Sequence, residues 1–357
     1  MGESSIGWLH PPPNAGRAPF GTLGQPGYTV NFWIGCTKVD PECANCYAER
    51  EAERGRLPTF REQNRLHLPV WGPKAPRHIV TQATLRMVDR FNREAEAENY
   101  PRWIFGGSQM DWLEDRPDLV EPRARLLAAM ERTRWLRWIM LTKRPENFAR
   151  LVPQWAGSVP DNVWIGISAG SQESLDSKLE AFAAIPSTRK MISGEPLLER
   201  VDWRAALRIP FVRWIIFGGE SGPRGKVRAN HLSWMRDGVD QARAAGVAPF
   251  VKQLGAKVLG APSCVGCEDE MHEDDICGTC GDTVELALVN TATGKLVRGA
   301  GDGRTYPEGE GAPMPGTGYE RVVHLKHCKG EDWREWPPDL LVQEWPDGAG
   351  YTRPGAP

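Results

Sequence analysis

The sequence lacks any run of about 18 apolar residues, the length a membrane helix needs, and its opening, MGESSIGWLHPPPNAG, has no apolar secretory core. Neither a membrane span nor export is expected, and the expected compartment is the cytoplasm. An excess of charge is also missing, because 44 Lys and Arg against 46 Asp and Glu leave a net −2. Without a cationic body, any contact with nucleic acid must rest on local patches. There is no GxGxxG dinucleotide fingerprint, and no Ser/His/Asp order stands out among the seven histidines.

What is present is enough apolar sequence, 40% of 357 residues, for one large domain or two modest ones. The 15 tryptophans are expected mostly in packing, while eight cysteines in a cytosolic chain read as metal ligands or catalytic thiols before disulfides. Residues 1–27 are rich in Pro and Gly and read as an irregular arm over the body. From Tyr28 onward the runs YTVNFWIG, RWIFGG, LRWIMLT, NVWIGIS, KMIS, VRWIIFGG and VAPFVKQLG alternate with helical patterns at 77–95, 117–133, 171–183 and 231–245. This predicts an α/β fold in which residues 28–255 form a complete or partial (β/α) barrel around a parallel sheet. Residues 256–320, with four cysteines and an acidic run, read as an inserted metal-binding module. Residues 321–357, with DWREWPPDLLVQEWP, read as a tail packing on the barrel.

Polar groups recur just past the predicted strands: Ser108 and Asp111, then Thr142, Lys143 and Arg144, then Ser168, Ser193 and Glu195, then Glu220 and Ser221, then Lys252 and Gln253. In parallel barrels the loops at that end converge on one mouth, which holds the active site. Capping a helix or closing a turn would also use such residues, Ser168 and Ser193 among them.

Cys36, Cys43 and Cys46 follow the first strand at spacing C-x6-C-x2-C. Three thiolates can hold a [4Fe–4S] cluster by three irons and leave the fourth open, whereas structural zinc takes four closed ligands. An open iron could chelate S-adenosylmethionine, whose reductive cleavage gives a 5′-deoxyadenosyl radical. Zinc completed by Asp40, Cys328 or a histidine is the competing reading. The place just past the first strand of a βα barrel favours the cluster.

NFWIGCTKVDPECANCYAE, LTKRPENFARL, NVWIGIS, SGEPLL, WIIFGGESGPRG, FVKQLG and EWPPDLLVQEWP, in this order, resemble the phage-associated three-cysteine family related to radical S-adenosylmethionine enzymes. The likeness covers residues 28–255 and the tail. The x6 loop departs from the ordinary C-x3-C-x2-C of radical enzymes. The resemblance implies a radical-enzyme barrel with Cys36, Cys43 and Cys46 as cluster ligands, and with Gly218, Gly219 and Glu220 near the S-adenosylmethionine site. It also implies a reductant such as flavodoxin or ferredoxin, and a substrate class of nucleobase-linked groups, as in phage thymidine hypermodification, including isomerisation. DNA is favoured among nucleic-acid or nucleotide substrates, with Lys143, Arg144 and Lys252 for a carboxylate or phosphate. Asp111, Glu195 and Glu220 are then available for an amine or ribose; Ser168 and Asp111 join Gly218, Gly219 and Glu220 as expected cofactor-binding residues, and Lys143, Arg144, Glu195 and Lys252 are the expected catalytic ones.

A second set, Cys264, Cys267, Cys277 and Cys280, has spacing C-x2-C-x9-C-x2-C, which brings four thiolates to one closed zinc centre. His272 is expected in solvent. RTRWLRW interleaves Arg132, Arg134 and Arg137 with Trp135 and Trp138 and could stack on bases. A helix end running into a buried strand, its arginines covering apolar surface, explains the same pattern. GPRGKVR, with Arg224, Lys226 and Arg228, lies at a strand end and is the better phosphate candidate. A zinc-dependent hydrolase and a non-enzymatic nucleic-acid-binding protein with two structural metal sites remain the alternatives.

Overall fold

The computed structural model describes residues 2–4, 6–11, 27–55, 58–223, 226–259, 286–290, 296–298, 319–323, 336 and 338–346. A two-residue strand, β1 (Gly2–Glu3), pairs antiparallel with β2 (Tyr28–Val30). β3 (Trp33–Ile34) and β4 (His78–Ile79) form a small antiparallel pair of their own. β5 (Arg102–Gly106), β6 (Leu136–Thr142), β7 (Val163–Ser168), β8 (Lys190–Gly194) and β9 (Val212–Gly218) follow. After β10 (Asn230–His231), which lies in another sheet, β11 (Ala248–Gln253) completes the main one.

The order of that main sheet is β1-β2-β5-β6-β7-β8-β9-β11, and every pairing from β2 onward is parallel. Seven parallel strands in chain order thus curl into a half-barrel. β2 and β11 are not neighbours, so of the two forms expected it is the partial barrel. All seven expected strands are present. The helices are α1 (Tyr47–Glu53), α2 (Pro58–Arg65), α3 (Gln82–Ala97), α4 (Val120–Arg132), α5 (Phe148–Leu151), α6 (Gln172–Ala184), α7 (Arg204–Leu207) and α8 (Leu232–Ala244).

The strands read as unbroken apolar runs because both faces of the sheet are covered. On the helix-bearing face Ile104, Trp138, Ile165, Ile192 and Ile215 pack with Leu127 of α4, Leu175 of α6 and Val239 of α8. The alternate residues, Trp103, Ile139, Trp164, Met191, Trp214, Ile216 and Phe250, pack with Trp8 and Trp345. Ring centroids 5.4 Å apart for Trp103–Trp214, 6.3 Å for Trp164–Trp214 and 5.2 Å for Phe250–Trp345 make an aromatic floor inside the curl.

Both edges of the sheet are covered by short antiparallel pieces. The arm expected to be irregular supplies β1 and a turn at Gly7–Leu9, because the open edge of β2 offers it backbone partners. On the far edge Gln343 bridges Phe250, Val251 donates to the Val342 carbonyl at 2.8 Å, and Glu344 donates to Pro249 at 3.0 Å. The Trp345 indole then donates to the carbonyl of Trp8 at 3.3 Å, joining the two pieces.

A second sheet combines β10 with β12 (Val258–Leu259), β13 (Leu286–Asn290), β14 (Leu296–Arg298) and β15 (Tyr319–Val323), in the order β10-β12-β15-β13-β14. It therefore straddles both expected boundaries of the 256–320 module, drawing one strand from within the barrel span. The four-cysteine set Cys264, Cys267, Cys277 and Cys280 lies outside the described residues, as do Cys328 and His272.

Trp214 touches Trp8, Trp103, Trp164 and Phe250. Trp214→Ala should cost about 3–5 kcal/mol. Arg134→Ala, on an exposed residue, should stay within about 0.5 kcal/mol. Urea denaturation measures both.

Candidate functional site at the mouth of the half-barrel

Residues 35–46, which carry the three cysteines, lie across the ends of the parallel strands and, with their flanks Asn31, Tyr47 and Arg50, are tied to the ends of β5, β6, β7 and β9. At the β5 end the Tyr47 phenol donates to the Ser108 carbonyl, and the Asn31 amide donates to the Ser108 hydroxyl at 3.0 Å. At the β6 end Arg144 donates to the Thr37 carbonyl at 2.5 Å and reaches the Cys36 sulfur at 3.7 Å. Past β7, Glu42 accepts from the Gly170 amide at 2.6 Å and the Ser171 hydroxyl at 3.3 Å. Lys178 of α6 pairs with Asp40 at 2.8 Å. Past β9, Glu220 accepts from the Asn45 side chain at 2.9 Å, and Arg50 donates to the Ser221 carbonyl at 2.9 Å.

Several residues expected to bind ligand are occupied in holding this loop. Asp111 is buried, and its carboxylate accepts from Thr142 at 2.7 Å, Arg144 at 2.7 Å, Leu113 at 3.0 Å and the Lys143 amide at 3.1 Å. Glu220 is buried too. It accepts from the Arg228 amide at 2.7 Å and pairs with that guanidinium at 2.5 Å, while Arg228 also donates to Pro41 at 2.8 Å. Burial alone would raise the Glu220 pKa, but the hydrogen bonds from Arg228 and Asn45 hold it below the ordinary carboxylate value. Asp111, Arg144 and Glu220 are thus positioning residues in this structure. The glycines have local duties: a Cβ on Gly219 would lie 2.1 Å from the Leu254 carbonyl, and one on Gly218 would lie 3.1 Å from Glu195. Gln253 donates to the Gly219 carbonyl at 2.8 Å. Ser168 and Ser193 are buried at the ends of β7 and β8.

Three expected ligand-binding side chains are not absorbed in this way. No hydrogen bond or ion pair joins the Lys143 ammonium to the described residues. Burial opposes its charge, yet Cys43, Asp111, Cys36 and Asp40 outweigh that and hold its pKa above the ordinary value. Glu195 and Lys252 pair with each other at 2.6 Å.

None of Cys36, Cys43 and Cys46 is in a disulfide, and each is half-buried. Burial, with the charge of Asp111 added, pushes the Cys36 thiol up to about 12 despite Arg144. Burial also raises Cys46, against the pull of the Glu49 and Ala48 amides. Among the described residues no group of three His, Cys, Asp or Glu side chains is close enough to hold a metal ion. The three sulfurs share one loop, and Cys43 and Lys143 both act electrostatically on Cys46. As a donor set, three thiols near an ammonium that no described residue hydrogen-bonds fit a group bound through thiolates.

The base-stacking reading of RTRWLRW is replaced by the packing one. Trp138 is fully buried, Arg137 lies 6.0 Å from the Trp103 ring centroid, and Arg132 pairs with Asp89 at 2.9 Å. In GPRGKVR, Arg228 is engaged with Glu220, Lys226 is exposed and Arg224 lies outside the described residues. Sequence reasoning missed Arg77, which makes a two-pronged pair with Glu114 at 2.6 and 2.8 Å and donates to the Thr37 hydroxyl at 2.8 Å. It also missed the anchors Glu42 and Lys178, and Asp40, considered there as a zinc ligand, is instead paired with Lys178. Two acids between ligand-spaced cysteines were the available signal.

Lys178→Met would leave Asp40 buried without its partner, since the two side chains are 3% and 13% exposed. It should cost about 3–5 kcal/mol in urea denaturation and speed iodoacetamide alkylation of the loop cysteines. With the Cys36 thiol pushed up to about 12, the fold holds its full stability below the ordinary thiol value of 9.0, and part of it is lost as pH climbs from there toward about 12. Metal-free protein should therefore weaken over that range, and Cys36→Ser should flatten the pH profile.

No curated protein matches this sequence. A family model does, over residues 26–308 and hence most of the chain: the chain belongs to DUF5131, described as a protein of unknown function.

Proposed function

We propose that this protein is a radical S-adenosylmethionine enzyme. In this reading the half-barrel is of the radical-enzyme type, and Cys36, Cys43 and Cys46 hold three irons of a [4Fe–4S] cluster. The observation that carries it is the three-thiol loop, stretched over the mouth of a parallel half-barrel and fastened there by buried ion pairs. When bound, the cluster with S-adenosylmethionine supplies a 5′-deoxyadenosyl radical able to take hydrogen from an unactivated carbon.

The chain's own part is binding, orientation and exclusion of water. Arg144 and Lys143 place two positive charges beside the thiols, which favours their anionic form once ligated. One buried carboxylate, Asp111, holds both the Arg144 guanidinium and the backbone amide of Lys143. The tryptophan floor closes the inside of the curl below the mouth and keeps water from the side of the strands. Zinc at the four further cysteines, a flavodoxin or ferredoxin as reductant, and a nucleobase-linked substrate in DNA belong to the same proposal. Among the described residues no helix is long and apolar enough to cross a membrane.

Anaerobic reconstitution of wild type and Cys43→Ala tests this. About four irons beyond any zinc, as a site-differentiated cluster requires, with dithionite-dependent 5′-deoxyadenosine in wild type alone, is the expected result. Zinc alone in both proteins, with S-adenosylmethionine intact, would replace the radical reading by a hydrolytic or structural metal site. Cluster-dependent turnover of an unrelated metabolite and none of modified thymidine would remove the DNA assignment.

A further inference from the structure

Of the six charged residues at the strand ends that were candidates for holding a ligand, five fall into two groups, and Lys143 stands apart beside the cysteines. Asp111, Arg144 and Glu220 are saturated by the networks that fasten the cysteine loop. Glu195 and Lys252 are not saturated. Each hydrogen-bonds through its side chain to the other, at 2.6 Å, and the two side chains remain 22% and 23% exposed. Lys252 uses one of its three N–H donors in that bond, and Glu195 uses one lone pair of its two oxygens.

Two features of the backbone build this pair across β9. The register of β11 against β9 slips between Val251 and Gln253, so Lys252 sits in a bulge, a device that re-aims a side chain beside functional sites. Gly218 ends β9 between the two, and the Glu195 carboxyl lies where its Cβ would come within 3.1 Å. A larger residue at 218 would crowd the Glu195 carboxyl, which would have to give way.

A carboxylate and an ammonium held side by side form a fixed dipole with no net charge. A ligand carrying both charges at the same spacing docks antiparallel to it and gains two charge-assisted hydrogen bonds. A lone cation or anion gains one and meets the like charge of the other partner. We infer that Glu195 and Lys252 form a receptor for the α-amino-acid group of a ligand, Glu195 taking its ammonium and Lys252 its carboxylate. The inference names the ligand class of the mouth and rests on reading that mouth as the site of chemistry, yet it needs no metal to be observed.

The test is binding of glycine to the full-length metal-free protein, followed by NMR titration, with glycine methyl ester as the cation-only probe and acetate as the anion-only probe. Glycine should bind at least roughly tenfold more tightly than either, as expected for one charged hydrogen bond lost. Glu195→Gln and Lys252→Met should each lose a similar factor while melting as wild type does. The exchanged double variant, Glu195→Lys with Lys252→Glu, should bind glycine again, because it rebuilds the dipole reversed. Acetate or the ester binding as well as glycine, or glycine binding that neither single variant weakens, overturns the inference. Absence of glycine binding to wild type at up to roughly 100 mM, where a contact worth about 1.4 kcal/mol would be detected, overturns it as well. Failure of cluster assembly would leave all of these outcomes untouched, so the two readings fail separately.

Discussion

A parallel sheet that curls without closing must cover its inner face with something other than strands. A closed barrel fills its interior with layers from its own staves, but here β2 and β11 never meet. Trp103, Trp164 and Trp214 supply the volume from the staves, and Trp8 and Trp345 supply it from outside them. Aromatic side chains suit this because each buries a large area and packs edge to face. With the floor made of side chains, the polar ends of the strands are left to build the mouth.

The mouth is organised by charges taken out of water. Arg77–Glu114, Arg144–Asp111 and Lys178–Asp40 all sit at or near full burial. Such pairs add little net stability, but losing one partner is severe, so they fix geometry more than they add energy. The result is a cysteine loop held by its backbone at Thr37 and Pro41 and by the side chains of Asp40, Glu42 and Asn45, with its sulfurs left without bonds to one another. The loop is thus held from several elements at once, while no disulfide ties its three sulfurs together.

Much of the scaffold was legible in the sequence because parallel strands buried on both faces announce themselves as apolar runs. RWIFG, LRWIMLT, VWIGIS and VRWIIFG became strands almost residue for residue. The edges were not legible, since pairing by two residues at Gly2–Glu3 or one at Gln343 leaves no periodicity. Nor was the second sheet, whose partners 230–231 and 258–259 join across the whole of α8 and β11. At the mouth, sequence placed the polar residues correctly at strand ends but could not say which would be spent on one another. Asp111 and Glu220 looked like free carboxylates because their donors are spread over distant parts of the chain, as Asn45 is from Glu220.

The hydrogen bond from Trp345 to Trp8 spans 337 positions. During synthesis, residues 36–46 leave the ribosome long before Lys178, Glu220 or Trp345 exist to receive them. The thiols are therefore synthesised well before the frame that orders them, which gains Arg77 and Arg144 first and closes only once Glu220 and Arg228 have been made. Non-local closure of this kind is slow. The order of synthesis thus decides when the three thiols become sheltered, so their chemical history is a matter of time as well as of packing.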